Sequence, residues 1–306
     1  MSRIQDILNK AERDGTARRT RGLSDSAVQA PLAATPPSVA PPVPAAAPPV
    51  TTLDAPPPPG AWAVPATPPP LEHHAIPSAI AHLDHRLVAA VSPQSLAAEQ
   101  YRLLRTRVRQ AERGRIVRTI VVTSPSQGDG KSLTAANLAL AMAQEFHQRV
   151  LLIDADFRRP SVARLFGLHG RTGLSDVLLG GAELDAAQVS IAEHRLTVLP
   201  AGPLPAHPAE LLGSSGMRRV LDTLRTRFDR ILIDMPPVSP VADVHVVAPM
   251  TDGLLMVVRA GVTAKPAIER ALADLDASKV LGLVLNDAEE APTDRTSYEG
   301  YRYIAG

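Results

Sequence analysis

A glycine-rich run carries the residues best suited to chemistry. "TSPSQGDGKSLTAANLA", residues 123–139, follows the apolar stretch "RTIVV" and leads into an alanine-rich helical pattern. Glycine lets a chain turn tightly and approach a ligand, and a helix N-terminus favours an anion. Lys131 would reach the β- and γ-phosphates of a nucleotide, and Ser132 would bind Mg²⁺. The run therefore predicts a phosphate site built from Gly128, Asp129, Gly130, Lys131, Ser132 and Leu133, with Pro125 in place of the usual first glycine.

Three aspartates follow apolar runs further along the chain. "LLIDAD" places Asp154 and Asp156 at the end of one expected strand, and "ILIDMPP" places Asp234 at the end of another. Ligands of open parallel sheets bind beyond the carboxyl ends of the strands, so these carboxylates are expected to converge on the phosphate loop. One or two could hold Mg²⁺, directly or through water, and another could accept a proton. Capping a helix is the alternative for any single one of them, including Asp156.

Alternating strand and helix patterns surround these motifs. The sequence predicts strands near 116–123, 149–154, 195–199, 229–234, 253–259 and 280–286, separated by helices near 131–146, 160–167, 174–179, 216–228, 241–249 and 265–277. Continuous apolar runs such as "LLMVV" are typical of strands buried on both faces. The pattern predicts an α/β fold of the phosphate-loop NTPase type, with a parallel sheet flanked by helices.

A further helix is expected before the first strand. Ser92 and Pro93 are placed to begin it, and it would run to about residue 112. Its apolar stripe would consist of Ala97, Tyr101, Leu104 and Val108.

Proline is concentrated in one part of the chain. Sixteen of the 30 prolines fall between residues 31 and 70, where no packed core can form. We therefore predict a short amphipathic helix over 1–14, a disordered Ala/Pro-rich tether over 15–85, one globular domain over 86–290 and a flexible tail over 291–306.

Charge and cysteine content exclude several classes of function. With 32 basic and 31 acidic residues, the chain has no global charge that would favour nucleic acid. It has no cysteine, which excludes disulfides and zinc–cysteine sites and is typical of a cytoplasmic protein. No apolar run of eighteen residues is present, so we expect a soluble chain.

Four motifs together resemble a known family. "TSPSQGDGKSLTAANLA", "VLLIDADFRRP", "RILIDMPPV" and "LPAGPLPAHPAELL" are similar to the bacterial tyrosine kinases of exopolysaccharide synthesis over residues 92–290. The resemblance implies transfer of the ATP γ-phosphoryl group to tyrosine, with Mg²⁺ bridging Ser132 and Asp234 and Lys131 stabilising phosphate charge. Asp154 is the candidate base and metal ligand, and Asp156 its metal-linked helper, although the two could exchange roles.

The resemblance also implies assembly. In "EQYRLLR", Glu99, Arg102 and Arg105 match the family element E-x-x-R-x-x-R, which joins neighbouring subunits of relatives into a ring. With Arg109 they occupy an arc of about 120° on the side of the helix away from its apolar stripe. An ordinary solvated face would show the same pattern, and both interpretations remain open at this point.

The tail "SYEGYRYIAG" contains Tyr298, Tyr301 and Tyr303. In a flexible tail they would be phosphoacceptors, phosphorylated in trans by a neighbouring subunit. A packed β-strand is the alternative, because tyrosine also favours strands.

Partners follow from the same resemblance. Relatives work with a transmembrane activator that regulates polysaccharide polymerisation and export, so we expect recruitment to the inner face of the plasma membrane and proteins of polysaccharide biosynthesis as further substrates. Two alternatives remain: a partitioning or division-site ATPase, and a nucleotide-binding scaffold without kinase activity. Ser126 occupies the position of the signature lysine of such ATPases, which disfavours the first. Intact Lys131, Ser132, Asp154 and Asp234 disfavour the second.

Overall fold

The computed structural model describes residues 74–76, 83–112, 114–145, 148–168, 170 and 172–288, all of which lie in one compact unit. Its strands are β1 (His74–Ile76), β2 (Thr119–Thr123), β3 (Val150–Asp154), β4 (Val189–Ile191), β5 (Leu196–Leu199), β6 (Arg230–Asp234), β7 (Gly253–Arg259) and β8 (Val280–Asn286). They form one sheet in the order β1-β4-β5-β3-β6-β2-β7-β8. The six strands from β5 to β8 in this order are parallel, whereas β4 pairs antiparallel with β5 and parallel with β1.

Helices cover the sheet. They are α1 (Val88–Val91), α2 (Leu96–Ala111), α3 (Lys131–Ala143), α4 (Val162–Leu165), α5 (Leu174–Leu178), α6 (Leu184–Ala187), α7 (Pro208–Leu212), α8 (Ser215–Arg227), α9 (Asp243–Val247) and α10 (Lys265–Ala273). Short 3₁₀ turns span Ala192–His194 and Ala248–Met250. In the part of the chain described, no helix is both long enough and apolar enough to cross a membrane.

The predicted α/β architecture is confirmed, including all six predicted strands. The sequence missed β1 and β4, because three residues are too few to show a periodic pattern and β1 falls in the segment predicted as a tether. The amphipathic helix predicted over 1–14 and the tail over 291–306 lie outside the described residues, as does most of the tether.

Helix α3 follows the phosphate loop and is buried on every side. All ten residues from Thr134 to Ala143 are buried, five of them alanines whose small side chains let neighbouring elements approach closely. On its outer side, Asn137 accepts a hydrogen bond from Ala89 N and donates one to Arg86 O, both at 3.0 Å. The segment before α2 is thereby fixed to the helix that begins at the phosphate loop.

Helix α2 begins one turn later than predicted. Its N-cap is Ser95, whose Oγ accepts a hydrogen bond from Ala98 N at 3.2 Å, and not Ser92. Ser92 instead belongs to the preceding turn, where its carbonyl accepts Ser95 N. The predicted stripe is also wrong at its first position, because Ala98 is buried and Ala97 is exposed.

Candidate active site

Three adjacent parallel strands end at the site. Strand β6 lies between β3 and β2, and its register places Asp234 directly opposite Asp154 of β3. Strand β2 ends at Thr123, immediately before the phosphate loop. The fold therefore brings the carboxylates and the loop to one edge of the sheet, and both aspartates are fully buried.

Lys131 is the cation at the centre of this group. Its Nζ lies 2.6 Å from Asp156 Oδ2, 3.7 Å from Asp234 Oδ1 and 3.2 Å from Ser132 Oγ. Burial lowers the pKa of Lys131, but the charges of Asp234 and Asp156 outweigh burial and leave that pKa raised. The ammonium group therefore stays charged and is held by carboxylates that a phosphate could replace as its partner.

Asp234 has unused hydrogen-bonding capacity. Neither of its carboxylate oxygens accepts a hydrogen bond, although the side chain is fully buried. Burial raises the pKa of Asp234 to about 6, and the charge of Lys131 opposes that rise. Lys131, 3.7 Å away, offsets the buried charge of Asp234 only in part, so a further cation would be stabilised there and the residue fits a hard metal ion such as Mg²⁺.

Protein groups alone do not complete a metal site here. Among the described residues, no cluster of three His, Cys, Asp or Glu side chains is arranged to hold a metal ion. Mg²⁺ commonly takes one or two protein ligands and completes its shell with water and substrate phosphates. Asp234 with the hydroxyl of Ser132 matches that kind of site.

The carboxylate of Asp154 binds backbone amides, whereas the sequence suggested that it is the base and a metal ligand. Its Oδ2 accepts hydrogen bonds from Ser161 N and Val162 N, both at 3.0 Å, and its Oδ1 accepts one from Asp156 N at 3.2 Å. Burial, followed by the charge of Asp234, raises the pKa of Asp154 to about 8 against these amide hydrogen bonds. Both oxygens thus fix the chain between β3 and α4, which leaves Asp156 as the carboxylate in contact with Lys131.

The phosphate loop is shaped by two glycines and one aspartate. Gly128 and Gly130 have φ values of +88° and +91°, which residues with side chains rarely adopt. Asp129 Oδ2 accepts a hydrogen bond from Ser126 N at 2.9 Å, so this carboxylate closes the loop on itself. The side chain of Asp129 therefore serves the loop conformation, and contact with a nucleotide falls to the backbone around it.

Two residues that the sequence did not single out hold this loop from the ends of the neighbouring strands β7 and β8. Thr263 Oγ1 donates to Asp129 Oδ1 at 2.7 Å, and Asn286 Nδ2 donates to Asp129 O at 3.0 Å. A Cβ atom on Gly130 would lie 2.0 Å from Asn286 Nδ2, so any other residue would strain the backbone at this φ and also displace the Asn286 amide from the loop. No local pattern marks these residues, because they lie 134 and 157 positions from Asp129.

The predicted interface residues lie on α2, away from the phosphate loop. Arg102 forms an ion pair with Glu99, and the side chains of the two residues remain 30% and 44% exposed. Arg105 contacts Glu145 at 3.1 Å and Ala141 O at 2.6 Å, near the end of α3. The acceptor candidates Tyr298, Tyr301 and Tyr303 lie outside the described residues.

Comparison with known proteins identifies the family to which the chain is similar. Residues 115–294 match the family model described as "ParA: NUBPL iron-transfer P-loop NTPase". Tyrosine-protein kinase YwqD of Bacillus subtilis (strain 168) is 36% identical over 220 residues, which cover 71% of this chain and 92% of YwqD. The solved structure of the kinase domain of Escherichia coli tyrosine kinase ETK is 29% identical with a TM-score of 0.62, and the match covers 67% of this chain and 82% of that domain.

A longer relative matches only in part. Succinoglycan biosynthesis transport protein ExoP of Rhizobium meliloti (strain 1021) is 35% identical over 203 residues, which are 65% of this chain and 26% of ExoP. The chain thus spans about a quarter of that protein.

Proposed function

The chain belongs to the bacterial tyrosine-protein kinases, and from that premise we propose that it phosphorylates its own C-terminal tyrosines in trans and thereby regulates exopolysaccharide polymerisation and export. The observation that carries the proposal is the position of Lys131 between Asp156 and Asp234, at the strand ends beside the phosphate loop. Such a site can neutralise charge on a transferred phosphoryl group and also accept a proton.

Lys131 changes partner in this mechanism. With nucleotide bound, its ammonium group leaves Asp156 and binds oxygens of the β- and γ-phosphates, together with backbone amides of the loop. Asp234 and Ser132 would hold Mg²⁺, which when bound supplies positive charge that neutralises the phosphates. The exchange leaves Asp156 without its cation.

Asp156 is then the base. A tyrosine hydroxyl has a pKa near 10, so it must lose its proton as it attacks. The tyrosine oxygen forms a bond to the γ-phosphorus, the bond from that phosphorus to ADP breaks, and Asp156 takes the proton. This assignment exchanges the roles first given to Asp154 and Asp156, because Asp154 is engaged by three backbone amides.

The partitioning-ATPase alternative requires a lysine at position 126, where this chain has serine. Ser126 stands where partitioning ATPases carry their signature lysine, and its backbone is committed within the loop to Asp129 and to Ser124 Oγ. Its short side chain cannot supply a positive charge to a neighbouring subunit's nucleotide.

Transfer between subunits is tested by mixing two variants. The donor carries phenylalanine at Tyr298, Tyr301 and Tyr303, and the acceptor carries Lys131→Ala with an intact tail. We expect phosphate on the tail of the inactive acceptor. Introducing Arg102→Glu into both chains should reduce sedimentation size and slow this transfer by about tenfold, because it places repulsive charge in a subunit contact.

The matched control is Arg107→Glu. Arg107 is exposed on the same helix but outside the arc of Glu99, Arg102 and Arg105, so size and transfer should be unchanged. An unmodified acceptor in this mixture, while the wild type phosphorylates its own tail, would show transfer in cis. Unchanged assembly of the Arg102→Glu variant would contradict the ring.

Membrane recruitment requires a partner in this proposal. We expect the protein to move from the soluble to the membrane fraction when it is co-expressed with a transmembrane activator of the polysaccharide system, which docks a cytosolic segment on the kinase. Fractionation with and without that activator measures the effect. If the protein divides equally between the soluble and membrane fractions with and without the activator, recruitment is contradicted. The kinase assignment does not depend on this result.

A further inference from the structure

A cleft of about 470 Å³ opens beside the phosphate loop. It lies between the start of that loop, the segment after β3, the turn after β6 and one face of α10. Its walls are largely apolar and include Pro125, Pro236, Pro240, Ala267 and Ala271. Proline and alanine side chains offer apolar surface to an aromatic ring, and the volume lies within the range of ligand pockets.

The cleft adjoins the catalytic carboxylates. Arg159, on its rim, donates its backbone N–H to Asp156 Oδ1 at 3.0 Å. Pro236, in its wall, follows Asp234 by two residues, and its carbonyl accepts a hydrogen bond from Thr123 Oγ1 at 2.6 Å. A group seated in the cleft would therefore lie next to the site of phosphoryl transfer, against a wall fixed to the central strands.

The rim of the cleft carries uncommitted positive charge. Arg158 is bound to buried Asp243 at 3.0 and 3.2 Å, so its guanidinium group is engaged. Arg159 and Arg270 are exposed, and within the described part of the chain their side chains form no hydrogen bond or ion pair. Asp274 is the acidic residue in the lining, so the charge of the rim favours an anionic group.

We propose, on the basis of the kinase function above, that this cleft binds the ring of the acceptor tyrosine and that Arg159 and Arg270 select an acidic residue beside it. The tail of a neighbouring copy is the occupant to which the proposal commits. Tyr298 precedes Glu299, whereas Arg302 lies between Tyr301 and Tyr303 and would be repelled by the rim. Tyr298 is therefore the first and preferred acceptor.

Chain length allows this assignment. Asn286, the last residue of β8, contacts the phosphate loop, and Tyr298 follows it by twelve positions. Twelve extended residues span about 40 Å, so Tyr298 has the length of chain to extend beyond the site of its own subunit.

The test measures peptide kinetics with the full chain whose three tail tyrosines are replaced by phenylalanine. The substrate is a peptide of residues 291–306, and a second peptide carries Glu299→Lys. We expect modification of Tyr298 first and a KM about tenfold higher for the Lys peptide, as lost charge-assisted contacts should give. The Arg270→Glu and Arg159→Glu enzymes should instead prefer the Glu299→Lys peptide. Their KM for ATP should be unchanged.

Reversal separates recognition from general damage, because a destabilised enzyme would lose rate on both peptides alike. The control Arg218→Glu alters an exposed arginine that lines a different cleft together with Asp252 and Lys279, and it should keep the original preference. The inference about the cleft would be overturned if the Arg159→Glu and Arg270→Glu variants left the peptide KM values unchanged, or if they changed the KM for ATP to the same extent. The proposed kinase function would not be affected by either result. Absence of tail phosphorylation by the wild type would overturn the proposed function as well.

Discussion

Replacement of Lys131 by alanine is expected to abolish phosphorylation of the tail, lowering the rate by at least about 10²–10³-fold. Lys131 is the positive charge within reach of Asp156 and Asp234, and its loss removes stabilisation of the charge that develops on the transferred phosphoryl group. Intact-mass and phosphopeptide analysis after incubation with Mg-ATP compares this variant with the wild type. We expect phosphate on Tyr298, Tyr301 or Tyr303 in the wild type alone.

A matched lysine distinguishes catalysis from stability. Lys279 lies near the opposite edge of the sheet, where its Nζ donates to Ala248 O, Pro249 O and Thr251 O at 2.8–3.0 Å. Lys279→Ala should lower the free energy of unfolding and leave the rate per folded molecule unchanged. Tail phosphorylation that persists in pure Lys131→Ala protein would refute the site, and ATP consumption without tyrosine modification in the wild type would support an ATPase.

Asp234→Asn is expected to affect activity and stability in opposite directions. The variant loses the carboxylate that would hold Mg²⁺, so we expect phosphoryl transfer to fall by at least about 10²-fold. It also removes a buried charge that the folded protein disfavours, since burial raises the pKa of Asp234 to about 6 even with Lys131 at 3.7 Å, so above that pH the nucleotide-free protein should gain roughly 1–3 kcal/mol of stability. Thermal unfolding with and without Mg-ATP, together with the kinase assay, measures both effects.

Asp252→Asn provides the opposite control. Asp252 Oδ2 accepts hydrogen bonds from Arg118 N, Thr119 N and Thr119 Oγ1 at 2.7–3.0 Å, at the amino-terminal edge of the sheet. Its replacement should destabilise the protein and preserve activity. An Asp234→Asn enzyme that transfers phosphate normally, or that gains the usual stabilisation from Mg-ATP, would contradict the metal assignment.

The trade-off at Asp234 is characteristic of a site prepared for a cation. The register of β3 and β6 sets Asp154 and Asp234 side by side, and Lys131 offsets this negative charge only in part. Nucleotide with Mg²⁺ would add the missing positive charge, so binding should stabilise the folded protein through the same residues that carry out the chemistry.

The strands and the phosphate loop could be predicted because their signals are local. A buried parallel strand is a continuous apolar run in the sequence. A glycine-rich turn between such a run and an alanine-rich helix identifies Lys131 as the phosphate-binding residue and Ser132 as the candidate Mg²⁺ ligand. Ligands of such sheets bind beyond the carboxyl ends of the strands, and this rule alone predicted that Asp154, Asp156 and Asp234 lie together at one edge. All of these inferences need only the sequence within a few residues and the direction of the strands.

The partners of those residues were decided by the tertiary structure. Asp154 differs from Asp156 because backbone amides near α4 point at one carboxylate and Lys131 points at the other. Thr263 and Asn286 brace the loop across more than 130 residues of sequence. The arginine-rimmed cleft is formed by four segments that are distant along the chain.

The sequence by itself therefore determined which chemical groups the site contains and at which edge of the sheet they lie. Only the tertiary structure decided which of them are engaged and which remain available, because hydrogen bonding and burial depend on distances between segments that the packed sheet alone brings together.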